Sequence, residues 1–151
     1  MAARLTPKDA RNDSTETSLV FSLFAETDRL HVRTAIADGR LRGSGLRRLR
    51  IDLDLTIDEL ARLLDVAART INRKEKDDQP LTISEGDRAF RIARTADLAT
   101  TLIGERAKAL SWLHATNTYL GGRTPLAMLD TEIGADLVAE SLYAIAYGAV
   151  A

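Results

Sequence analysis

The sequence predicts an all-α protein, with a helix-turn-helix DNA-binding unit in its middle and a small helical module at its C-terminal end. Three observations predict it. Apolar residues recur at three- and four-residue spacings, and alternating strand-like runs are nearly absent. Thr56-Ile57-Asp58-Glu59 is a helix-start signature followed by Leu60, Ala61 and Leu64 on one face. Beyond Gly104 the apolar pattern resumes in shorter segments, punctuated by Gly121-Gly122 and Pro125.

The elements follow in order. Residues 1–17 are polar and unpatterned and read as a disordered leader. A helix is expected from Ser18 to Ala37, with Leu19, Leu23, Leu30 and Ile36 among its apolar positions and Gly39 as its stop. Ser44 is the expected cap of the next helix, whose stripe is Leu46, Leu49 and Leu53. The capping box at Thr56 and Glu59 opens a third helix. Asp65-Val66-Ala67 is a tight turn, and a helix from about Ala68 ends at Asp77-Asp78-Gln79-Pro80. Ser84, Glu85 and Asp87 begin a long helix that reaches Ile103, with Ile92, Ala96, Ala99 and Ile103 as a narrow packing face. A helix over 105–115, a Gly-Gly loop, a short helix begun by Pro125 and a last helix from about Gly134 to Tyr147 complete the chain. The expected division is a leader over 1–17, a DNA-binding domain over 18–96 and a C-terminal domain over 97–151.

Composition narrows the function. The chain has 151 residues and no cysteine, so it has neither a disulfide framework nor a thiolate metal site. Its two histidines, His31 and His114, lie far apart, and no metal or other cofactor is expected. No activated nucleophile can be named beside either histidine, which argues against an enzyme. The N-terminal residues lack the apolar stretch of a secretory signal, and no run of 18 apolar residues occurs. A cytoplasmic protein without membrane contact is therefore expected. The net charge of −1 is unevenly spread. Residues 40–96 carry 13 Lys+Arg against 10 Asp+Glu, whereas residues 97–151 carry 3 against 6. A basic middle suits a polyanion and the acidic end does not.

The middle has the offsets of a helix-turn-helix. Leu60 and Leu64 anchor the first helix, Ala61 is the small contact, Val66 follows the turn and Ile71 anchors the second helix. Asp65 stands at the turn site where positive φ favours Gly, and Asp tolerates that conformation better than most residues. Lys74 stands where an apolar residue is common, so its stem should pack while its amine escapes. A plain helical hairpin would share the apolar spacing, and the charge pattern favours DNA. Arg69, Asn72 and Arg73 are expected on the exposed side, where Arg pairs with guanine and Asn with adenine. Arg47, Arg48, Lys74 and Lys76 are expected on phosphates, and Arg40 and Arg42 read as ordinary surface charges.

The last helix carries Val138, Leu142 and Ile145 as a core stripe, with Leu137 at its edge. Tyr143 and Tyr147, four residues apart, fall on nearly the opposite face beside Asp136 and Glu140. Tyrosine offers rigid area with a polar tip and is enriched at interfaces. Cover by another element of the same chain, or plain exposure, would account for the pair equally. After Gly148 the chain ends apolar at Ala149-Val150-Ala151, a frayed tail or an inserting one.

Across residues 105–148 the order and spacing of Ala107, Trp112-Leu113, Asn117, Leu120-Gly121-Gly122, Pro125, Leu129, Thr131, Gly134, Val138, Leu142, Ile145 and Gly148 resemble the toxin-binding domain of the Xre/MbcA/ParS antitoxins. Arg69-Thr70-Ile71 with Arg73-Lys74 is similar to that family's recognition helix. Leu81, Ser84-Glu85-Gly86-Asp87-Arg88 and Ile92-Ala93-Arg94 are similar to the helix after it. The likeness covers about residues 36–151. It implies an Xre-like helix-turn-helix domain followed by a toxin-binding domain, and an antitoxin that pairs with a RES-domain toxin encoded beside it. Such toxins resemble ADP-ribosyl-transferring folds and deplete NAD. The antitoxin covers the toxin's active-site entrance and represses the shared operator DNA, as a homodimer or as a larger hetero-oligomer with the toxin. On this reading Trp112, Leu113, Leu129, Val138, Leu142 and Ile145 build the small core, Gly121 and Gly122 allow a turn, and Thr131 caps the last helix. Tyr143, Tyr147, Gly148, Val150 and Ala151 are the expected toxin contacts, with Tyr119 and Arg123 at the margin. A stand-alone helix-turn-helix repressor with a C-terminal dimerisation domain is the alternative.

Overall fold

A computed structural model of the chain describes residues 18–24 and 28–148. The expected leader over 1–17, and Val150 and Ala151, lie outside the described residues. In order the helices are α1 (Leu19–Phe24), α2 (Arg29–Ala37), α3 (Gly43–Asp52), α4 (Ile57–Leu64), α5 (Ala68–Asp77), α6 (Ile83–Ile103), α7 (Arg106–His114) and α8 (Glu132–Tyr147). Two 3-10 turns, Thr118–Leu120 and Leu126–Asp130, connect α7 to α8. Among the described residues extended pairing is confined to two isolated bridges, Arg42 with Pro80 and Asn117 with Arg123. No helix there is long and apolar enough to cross a membrane.

The single helix expected over 18–37 is interrupted. Asp28 is extended (φ −67°, ψ 126°), and its carboxylate accepts the amides of Leu30 and His31, which starts α2 afresh. Upstream, Asp97 of α6 accepts the amides of Leu19 and Val20 and the Ser18 hydroxyl, at 2.8, 3.0 and 2.8 Å. A carboxylate from the long helix therefore fills the orphan donors of α1 and holds it in place. Leu30, expected among the apolar positions, is 68% exposed.

Elsewhere the ends are set locally. Thr56 and Glu59 form the reciprocal capping box that opens α4. Thr82 and Glu85 form a second box that opens α6, one residue ahead of the expected Ser84, because Thr82 takes the cap. Gly104 at φ +88° ends α6. Ser44 does not cap α3: Arg42 takes the cap position without a side-chain bond, and the Ser44 amide donates instead to Asp78 across the fold. Gly121 and Gly122 both take positive φ, and Thr131 caps α8 through the Gly134 amide.

α6 organises the packing. Its small face (Ala89, Ile92, Ala93, Ala96 and Ala99) is buried and lets neighbouring helices approach closely. α1, α2, α4, α7 and α8 all pack against it. One hydrophobic cluster runs from Leu46, Leu60 and Leu64 through Ile92 to Leu113, Leu129, Val138 and Leu142. Each fully buried leucine of this kind contributes roughly 1.5–3 kcal/mol. α6 passes without a break through the 96/97 position where the sequence placed a domain boundary.

Candidate functional site

α4 and α5 are joined by Asp65 in the left-handed region (φ 54°, ψ 50°), as the turn requires. Arg88 of α6 donates to the Leu64 carbonyl at 2.8 Å and lies 3.7 Å from the Asp65 carboxylate, so the turn is held from behind. Ile71 and Lys74 form the buried side of α5. Arg69, Asn72, Arg73 and Lys76 are exposed and fall within about 100° of one another at 100° per residue. Thr70 is half-buried at the edge of this face.

Glu75 of α5 and Asp78, just past its end, serve as anchors. Arg50 of α3 makes a bidentate pair with Glu75, at 2.8 and 2.9 Å. That hydrogen-bonded partner, opposed by burial, raises the Arg50 pKa further. Asp78, in the left-handed region at the end of α5, accepts the Ser44 amide at 2.8 Å and Arg42 at 3.2 Å. The Ser44 amide is the main reason its carboxyl lies below the usual range. A Cβ on Gly43 would fall 1.8 Å from the Lys74 carbonyl, so only glycine lets the start of α3 approach the α5 backbone this closely.

The phosphate role expected of Lys74 does not hold. Its residue is 7% exposed, and its ammonium pairs with Glu85 at 3.0 Å and donates to the Pro80 carbonyl at 2.9 Å. The amine does not escape, because an acceptor arrives from the first turn of α6. Arg47 and Arg48 are exposed on α3, and Arg48 also pairs with Asp52 at 3.3 Å. Arg42, read as a free surface charge, belongs to the Asp78 clamp. The Arg50, Glu75 and Asp78 anchors were not found from the sequence. Their only signal was unpaired acid on an otherwise basic helix.

At the other end, Tyr143 and Tyr147 are exposed and stack with ring centroids 6.2 Å apart at an interplanar angle of 6°. Tyr147 is 76% exposed. Ile133 and Leu137 stand exposed on the same face, as do Asp136 and Glu140, so the apolar strip runs the length of α8. Ile133 was missed, although its spacing from Leu137 and Tyr147 carries that signal. Ile145, expected in the core, is 49% exposed. It lies in the last turns of α8 and lines a groove of about 510 Å³ with Asn117, Tyr119 and Ser141. By helical phase this groove lies on the other flank of α8 from the stacked tyrosines. Tyr119 is therefore placed with Ile145 and not with Tyr143 and Tyr147. Arg123 is exposed, and its carbonyl accepts the Asn117 amide at 3.0 Å. Gly148 takes positive φ at the end of α8. The His114 ring nitrogen sits 2.8 Å from the Leu53 carbonyl, a structural tie between α7 and the end of α3.

Residues 37–94 match the model of the antitoxin Xre-like helix-turn-helix domain, and residues 98–148 match the antitoxin Xre/MbcA/ParS C-terminal toxin-binding domain. The chain thus carries an Xre-like helix-turn-helix domain followed by an Xre/MbcA/ParS C-terminal antitoxin domain. It is similar to the antitoxin Xre of Pseudomonas putida, 40% identical over 83 residues, which cover 55% of this chain and 52% of the relative. It is 31% identical over 91 residues to the antitoxin Xre of Yersinia enterocolitica, covering 60% of this chain and 62% of that protein. The chain thus spans between about half and three-fifths of the length of these two curated relatives. A Sphingobium protein called Prs ADP-ribosylating antitoxin is 26% identical over 117 residues, 72% of this chain and 74% of that one. In the terms of the Xre/MbcA/ParS family, α4 and α5 are the helix pair of the first domain, and α7, the 3-10 turns and α8 lie in the second.

Proposed function

We propose that this chain is the antitoxin of a type II toxin-antitoxin system. Its C-terminal segment neutralises a RES-type, NAD-degrading toxin by covering the toxin's active site. Its helix-turn-helix represses its own operon. The observation that carries the reading is the stacked, solvent-facing Tyr143–Tyr147 pair on α8, inside the segment that matches a toxin-binding domain. Large exposed aromatics on one face, with Ile133 and Leu137 beside them, fit a protein interface better than a solvated surface. The name of the Sphingobium relative joins an antitoxin to ADP-ribosylation, the chemistry expected of the toxin side. The DNA half is supported by the uniform exposed face of Arg69, Asn72, Arg73 and Lys76. Arg73 and Arg69 would read guanine edges and Asn72 adenine, while Lys76, Arg47 and Arg48 would meet phosphates. No catalytic role is assigned to this chain.

The test is truncation. Removing Gly148 to Ala151 should leave operator binding intact in a gel-shift assay and abolish rescue of growth when the toxin is co-expressed. Continued neutralisation by the truncated chain refutes the role given to its end.

A further inference from the structure

The two matched segments meet over a cleft of about 340 Å³. One wall is α4, which turns Glu59 and Arg62 toward it. The other wall comes from the C-terminal segment: His114 at the end of α7, Thr124, and Asp130 at the end of the second 3-10 turn. Three buried leucines, Leu55, Leu63 and Leu126, floor the cleft.

The polar atoms around this floor have capacity to spare. Arg62 and Asp130 are exposed, and neither is in an ion pair among the described residues. The Thr124 hydroxyl accepts the Ala127 amide at 3.2 Å, so its own hydrogen remains to donate. The Leu53 carbonyl can only accept, so the His114 nitrogen 2.8 Å from it carries a hydrogen, and Nδ1 of the neutral ring is left as an acceptor. One oxygen of Glu59 is taken by the Thr56 amide at 2.7 Å. That amide does most to hold the Glu59 carboxyl below its ordinary value, and the nearness of His114 and Arg62 adds to it, so these groups converge on one end of the cleft.

We propose that this cleft binds a free aliphatic α-amino acid. Its volume lies at the low end of small-molecule sites, about 300–1,000 Å³, which suits a molecule of that size and not a nucleotide. Arg62 and the Thr124 hydroxyl call for a carboxylate, whereas Asp130, the second oxygen of Glu59 and Nδ1 of His114 call for an ammonium group. A plain anion would meet two carboxylates, and a plain cation would meet the guanidinium. A zwitterion satisfies both sets, and a branched aliphatic side chain covers the leucine floor. Such a ligand touches both matched segments, so it would tie α4 to the second 3-10 turn and stabilise the fold by mass action.

L-leucine is the probe, titrated into the full chain and followed by amide ¹H–¹⁵N shifts. Saturable shifts should appear at Leu63, His114 and Ala127, with a Kd below about 1 mM. The analogue 4-methylpentanoate lacks the ammonium group and 3-methylbutylamine lacks the carboxylate. Each should bind about tenfold more weakly or worse, as loss of a hydrogen-bonded charge requires. Arg62→Gln and Asp130→Asn should each weaken L-leucine by about tenfold. Both positions are exposed, and unchanged thermal melts of the free variants establish that they fold. No saturable shift up to about 10 mM, shifts confined to other parts of the chain, equal binding of the single-charge analogues, or indifference to both substitutions overturns the proposal. The readout uses neither DNA nor toxin, so its outcome is separate from that of the function proposed above.

Discussion

Arg73 and Lys74 are adjacent cations with opposite fates. Arg73 faces solvent on the side of α5 proposed to read DNA, while Lys74 turns inward to Glu85 and the Pro80 carbonyl. Removing one partner of a buried ion pair leaves the other uncompensated, so Lys74→Ala should cost about 3–5 kcal/mol in urea unfolding. Arg73→Ala should leave stability within about 0.5 kcal/mol. It should weaken operator binding by about 1–3 kcal/mol and relax sequence preference, measured by titration at fixed salt. Unchanged operator affinity removes Arg73 from the reading set. The outward direction of Arg69, Asn72, Arg73 and Lys76 was legible because it depends only on helical phase relative to Ile71. The fate of Lys74 was not, because its acceptor comes from another element and its position in the motif called for an apolar side chain.

At the scale of the elements, the sequence was most readable where a helix end is decided by its own residues. The box of Thr56 and Glu59, the left-handed Asp65, the stop at Gly104 and the Thr131 cap all follow from local chemistry. The break at Asp28 was hidden, because Leu19, Leu23 and Leu30 keep helical phase across it while Asp97, more than seventy residues away, fixes α1. Ile145 was misassigned for a related reason: phase places it with Val138 and Leu142, but the core ends before it does. The Glu59 carboxyl is held below its ordinary pKa, chiefly by the Thr56 amide. A carboxyl depressed in the folded state adds stability above the ordinary glutamate pKa of about 4.3, and that stability is lost as pH falls through the lower folded value. Thr56→Ala keeps that amide but removes the hydroxyl that accepts the Glu59 amide, and should destabilise the fold by about 0.5–2 kcal/mol near neutral pH, in thermal melts. Gly43→Ala should also destabilise, because its Cβ would overlap the Lys74 carbonyl and push α3 from α5. A melt that matches the wild type contradicts the close approach.

In the whole molecule α6 carries three arginines that reach both matched segments. Arg88 holds the α4–α5 turn, while Arg91 and Arg94 pair with Glu132 at the start of α8, and Arg91 also donates to the Leu129 and Asp130 carbonyls. Burial alone would raise the Glu132 pKa, but the two arginines outweigh it and the carboxyl lies below its ordinary value. Its contribution is likewise present above about pH 4.3 and is lost on acidification below that. Glu132→Gln should flatten the acid limb of the melting profile between about pH 5 and 3 relative to the wild type; an unchanged limb assigns no stabilising role to these pairs. None of this tie was visible in the sequence, since it joins residues some forty apart. The order of the two matched segments was visible, because motif spacing is local to each.

The central claim is that the exposed aromatic end of α8 grips the toxin while α5 acts independently on DNA. Its most direct test is growth rescue by a chain carrying Tyr143→Ala and Tyr147→Ala, co-expressed with the proposed RES-type toxin, with operator affinity measured on the same variant. The account predicts lost rescue with operator affinity unchanged. Full rescue by the doubly substituted chain would contradict it.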